Sequence, residues 1–101
     1  MNNTKWDELR LAMVQLGALK PQWRTRATGS GHLSGWDGEW FYHFREGGYE
    51  TIEWVEIKVT SPEQRAGVLA ALQLIHVPGE ETPQGFQVFG HVPDGVAVAY
   101  V

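Results

Sequence analysis

The chain has 101 residues, 43% apolar and 12% aromatic, with no cysteine and a formal net charge of −4. That length makes a single domain, 1–101, with one core. The missing cysteines exclude disulfides, thiolate metal sites and cysteine nucleophiles.

The opening MNNTKWDELRLAM has neither the basic start nor the apolar run of a signal peptide. No stretch reaches the ~18 apolar residues of a membrane span. The expected location is the cytoplasm, with no membrane partner. In NNTKWDELRLAMVQLGAL, Trp6, Leu9, Met13 and Leu16 recur at spacings of three and four, which predicts an amphipathic helix. Asn3 or Thr4 is the expected cap and Lys20-Pro21 the expected stop. QWRTRAT then alternates Trp23, Thr25 and Ala27 against Arg24 and Arg26, the period of a half-buried strand with a basic outer face. GSGHLSG follows as a loop.

SGWDGEWFYHFREGGYETIEWVEI, residues 34–57, holds seven aromatic rings, six carboxylates and one base, Arg45, a local charge of −5. The rest of the chain is close to neutral. Residues 39–45 alternate Trp40, Tyr42 and Phe44 against Phe41, His43 and Arg45, which predicts a strand. Gly47-Gly48 predicts a tight turn, and ETIEWVEIKV the returning strand of a hairpin. Ile52 and Trp54 share one parity, whereas Val55, Ile57 and Val59 share the other. A β-bulge near Glu53–Val55 would reconcile the two.

SPEQRAGVLAALQLI predicts a second helix, with Ser61 as N-cap, Pro62 at the first position and Gln64 closing a capping box. VPGEETPQG is the expected loop. GFQVFGHV and VAVAYV are two more predicted strands, joined by a Pro93-Asp94-Gly95 turn. The predicted fold class is therefore α+β: a single domain in the order α-β-β-β-α-β-β, a mainly antiparallel sheet with two helices packed on one face.

Few patterns carry chemistry. His32, His43, His76 and His91 lack any spacing that places two on one face, so no metal ligand set emerges. Ser30, Ser34 and Ser61 sit in no nucleophile elbow, and Gly29, Gly31 and Gly35 form no phosphate cradle. No cofactor is expected. Arg24 and Arg26 are a thin basic footprint, and the acidic stretch disfavours phosphates, so nucleic acid is not an expected ligand.

The 34–57 block, with NTKWDELRLAM before it and ETPQGFQVFGHV after it, resembles a family of small bacterial proteins known as a domain of unknown function. The resemblance implies a bacterial protein and carries no catalytic residue. In style the chain is also similar to the immunity proteins that neutralise bacterial toxins.

These features lead to the expectation of a non-enzymatic interaction module that binds a basic protein partner, such as a toxin, through the acidic-aromatic hairpin. Trp36, Trp40 and Trp54 would anchor it, with Asp37, Glu39, Glu50, Glu53 and Glu56 as charged contacts. The alternative is a small-molecule site or minor enzyme in which Glu39, His43 and Glu53 or Glu56 share a pocket. A third is self-association, a homodimer paired through the apolar edge VAVAYV.

Overall fold

The computed structural model describes residues 1–92 and 95–101. Helix α1 (Asn3–Gln15) leads through a short 3₁₀ turn into strands β1 (Gln22–Ala27) and β2 (Ile52–Lys58). Helix α2 (Pro62–Ile75) and strands β3 (Gly79–Thr82) and β4 (Gly85–Phe89) follow. The four strands form one antiparallel sheet in the order β1-β2-β4-β3. The expected α+β class, with an antiparallel sheet and two helices, is what the chain adopts.

Register explains where the core lies. Trp23, Ile57 and Phe86 stand side by side across three strands, as do Thr25, Val55 and Val88. Side chains opposite one another share a face, and this one packs against Trp6, Leu9 and Met13 of α1 and Val68 and Leu72 of α2. Arg26 faces Trp54 while Ala27 faces Ile52, so Glu53 has no partner on β1. This is the expected bulge. It lets Ile52 and Val55, three residues apart, both point at the helices.

The helix ends follow from side-chain acceptors. The Asn2 side chain, not Asn3 or Thr4, accepts the Lys5 N–H at 2.9 Å and caps α1. Ser61 Oγ accepts the Gln64 N–H at 3.0 Å, as expected. The Gln64 side chain closes its box one residue early, on the Thr60 N–H at 2.7 Å. His76 ends α2 in the left-handed region at φ 64.

Residues 39–45 are a correction: they form no strand, and β1 itself pairs with β2. The Glu39 carboxylate accepts the N–H groups of Phe41, Tyr42 and His43 at 2.9, 2.6 and 3.0 Å. The chain therefore turns, and Glu46 N–H reaches Tyr42 O at 3.1 Å. Trp40 and Phe44, one helical turn apart, plunge into the core, while Tyr42 between them is 64% exposed. Gly47 and Gly48 both take φ 81, but they close this aromatic loop rather than a hairpin.

Two further segments differ from expectation. Within the expected loop VPGEETPQG, residues 79–82 pair with β4. Gly79 permits this, because a Cβ there would overlap the Gln87 carbonyl. VAVAYV does not extend the sheet as a strand. It makes an isolated bridge to Pro78, with Gly79 N–H donating to Ala99 O at 2.9 Å and Val101 N–H to Val77 O at 3.3 Å, and Tyr100 stacks on the His76 ring at 4.2 Å. The expected Pro93-Asp94-Gly95 turn falls on Pro93 and Asp94, which lie outside the described residues.

Candidate functional site on the open face of the sheet

Alternation sends the other half of each strand away from the helices. That open face carries Arg24 and Arg26 from β1, Trp54, Glu56 and Lys58 from β2, Glu80 from β3, and Gln87 and Phe89 from β4. Glu56 stands directly opposite Arg24, and the two meet at 3.2 Å. Arg26 Nε lies 2.7 Å from Glu53 Oε2, so the bulged residue is tied back to β1. Trp36 is laid across the same face by the loop before it. The Arg24 guanidinium sits 4.6 Å from its ring centroid and the Lys58 ammonium 5.2 Å.

The Arg26–Glu53 pair, nearly half exposed, contributes only ~0–1 kcal/mol. The larger consequence of the two pairs is cancellation. The acidic excess of residues 34–57 is a property of the segment alone, and β1 brings arginines alongside two of its six acids. A continuous acidic surface does not form there.

At one end of the open face lies a groove of about 460 Å³. Its floor is Trp54 and Phe89, which face each other across β2 and β4, and residues 96–99 form a wall. Arg26, Glu53, Glu80 and His91 supply its polar lining. The His91 ring donates through Nε2 to the Glu50 carbonyl at 2.7 Å.

The eight residues expected to bind a partner are thus divided. Trp36, Glu53, Trp54 and Glu56 come together on the open face. Asp37 and Glu39 lie in the aromatic loop beside the outer edge of β1, where Asp37 and Trp23 exchange backbone hydrogen bonds of 2.8 and 2.9 Å. Glu50 is exposed near His91. Trp40 is a correction: it is fully buried, its indole N–H donates to Pro21 O at 2.8 Å, and it offers no surface to a partner.

The expected carboxylate–histidine pocket is not assembled either. Neither the groove nor the shallow depression between Tyr42, His43, Arg45 and Glu46 joins Glu39 and His43 to Glu53 or Glu56. Glu39 is held below the ordinary carboxylate range by the N–H groups of His43 and Tyr42 that it accepts. His43 Nδ1 lies 2.8 Å from Asp37 Oδ2, and that hydrogen bond raises its affinity for a proton. Tyr49 is pushed up to about 12 by burial, and then by donating to Asp7 at 2.6 Å. Glu39 and the Asp37–His43 pair fold the loop on itself, and Tyr49 fastens it to α1. Lys58, Glu80 and Phe89 are site residues that the sequence did not single out, while Arg24 and Arg26 stood out only as a basic outer strand face.

Geometry therefore defines a small α+β domain with helices on one face of an antiparallel sheet and a mixed aromatic and charged platform on the other. The chain belongs to a family of unknown function, DUF6678, which matches residues 1–95. Comparison with curated proteins and with solved structures gives no match. Among the described residues no helix is long and apolar enough to cross a membrane.

Proposed function

We propose that the protein is a non-enzymatic interaction module that docks a protein partner on the open face of its sheet. One observation carries this reading: Trp36 and Trp54, half-buried, share a helix-free face with Phe89 and two arginine–glutamate pairs. Tryptophan and arginine are the residue types on which binding energy concentrates, and surrounding polar pairs supply direction. A partner recognised there meets alternating charges of both signs. A toxin-neutralising role through acidic mimicry gains less support from such a face than complementary recognition of a mixed surface does.

The test is capture from native cell extract by three immobilised forms: wild type, Gln87→Arg in the middle of the open face, and Tyr42→Ala on the aromatic loop. The expected result is a protein retained by wild type and Tyr42→Ala and lost by Gln87→Arg. Retention by Gln87→Arg with loss by Tyr42→Ala would transfer the function to the loop.

A further inference from the structure

We infer that the groove beside Trp54 and Phe89 receives a lysine or arginine side chain carried by the partner, an assignment that rests on open-face docking. Its volume, about 460 Å³, falls within the ~300–1,000 Å³ typical of ligand pockets. Its lining matches the two halves of a long basic side chain. Val92, Val96 and Val98 offer apolar surface along which an alkyl stem can lie. Trp54 offers an aromatic ring for a cation at the end of that stem.

Charge decides the sign of the ligand. Arg26 and Glu53 neutralise one another at 2.7 Å. Glu80 lines the same groove and forms no ion pair with any described residue. Among the described residues, the lining is thus left with one uncompensated carboxylate. A carboxylate or phosphate entering it would meet Glu80 and find the guanidinium of Arg26 already engaged. A neutral apolar side chain would fill the floor and leave Glu80 without a counter-charge. Only a cation with an apolar stem uses both.

Continuity decides the source. Arg26 and Trp54 belong to the platform as well as to the groove, so a chain docked across the sheet passes its mouth. The experiment is an NMR titration of the full-length protein with capped Ala-Lys-Ala, followed through the Trp54 indole and the Phe89 and Val98 amides. Norleucine and glutamate replace the lysine in two control peptides, and n-pentylammonium tests a free amine. The lysine peptide is expected to bind at least ten times more tightly than either control and than n-pentylammonium. Glu80→Gln should bring lysine and norleucine within about threefold.

Equal binding of the norleucine peptide, preference for glutamate, or indifference to Glu80→Gln overturns the assignment. Binding of n-pentylammonium as tight as the lysine peptide makes it a site for free amines instead. The two readings fail separately. Partner capture lost in Gln87→Arg without any lysine preference sinks the groove alone. A lysine preference with capture unaffected by Gln87→Arg sinks open-face docking.

Discussion

Trp40 separates an aromatic segment built for binding from one built for folding. Its side chain is 0% exposed and packs 4.7 Å from the Phe44 ring and 6.0 Å from Trp23, centroid to centroid. Truncating a buried aromatic to alanine costs ~3–5 kcal/mol. Trp40→Ala also strips the Pro21 carbonyl of its donor, which adds ~1 kcal/mol or more. The sum, about 4–6 kcal/mol, is roughly a third or more of the ~5–15 kcal/mol that holds most domains folded, and nearly all of it for a domain at the low end. Trp40→Phe keeps part of the ring contact and loses the N–H, for a cost of about 2 kcal/mol. Trp36→Ala, half-buried beneath two cations, should cost about 1 kcal/mol. Urea unfolding followed by circular dichroism, with the slope checked for constancy, measures all three. A cost below about 1.5 kcal/mol for Trp40→Ala, or equal costs at positions 36 and 40, would falsify the claim that the loop is anchored through the core.

Glu39→Ala should destabilise by ~1–2 kcal/mol, because the first turn of the loop loses its acceptor. Since the folded carboxyl is held low, its contribution is present above the ordinary value of 4.5 and fades as pH falls through the folded one. For His43 the sign reverses: its stabilisation is full below 6.5 and is lost as pH rises through the raised folded value. In Asp37→Asn the NMR titration of His43 should move down toward 6.5, and an unchanged midpoint refutes the pair. Gly85→Ala drives a Cβ into the Ile57 carbonyl and should cost ~2–4 kcal/mol in thermal or urea unfolding. Gly67→Ala, in ordinary contact with Leu16 inside α2, should instead stabilise by ~0.5–1 kcal/mol.

The helices were legible because apolar spacing marked Trp6–Met13 and because spacing and cap agreed at Ser61–Leu72, although α1 is capped by Asn2 and ends at Gln15, short of Lys20-Pro21. The bulge was legible because two parities met inside one short run, at Ile52 and Val55. Residues 39–45 were misread because a spacing of four, Trp40 to Phe44, satisfies alternation and a helical turn equally well. Charge held the missing discrimination. Pairing 39–45 with β2 sets Glu39 against Glu56, whereas β1 offers Arg24 to Glu56 and Arg26 to the bulged Glu53. Local turn chemistry at Gly47-Gly48 favoured the nearer partner, and tertiary charge matching favoured the other. GEET was hidden for a different reason: glycine and glutamate have low strand propensity, and the strand is admitted by close approach at Gly79. Which face of the fold a tryptophan takes is not written in its neighbours. Trp36, Trp40 and Trp54 look alike in the sequence, yet Trp40 ends in the core and the other two on the open face.

Glu53 shows how closely core and site are joined. Without an extra residue, either Ile52 or Val55 would point away from the helices, so the bulge is a requirement of packing. Its carbonyl then accepts two donors, Gly90 N–H at 2.8 Å and His91 N–H at 3.1 Å, fixing the chain where it leaves β4. That anchors His91 at the groove. Its side chain meanwhile occupies Arg26, which leaves Glu80 as the carboxylate that sets the sign of the groove. One residue inserted to satisfy the core therefore positions three of the four described polar residues that line the groove: itself, Arg26 and His91.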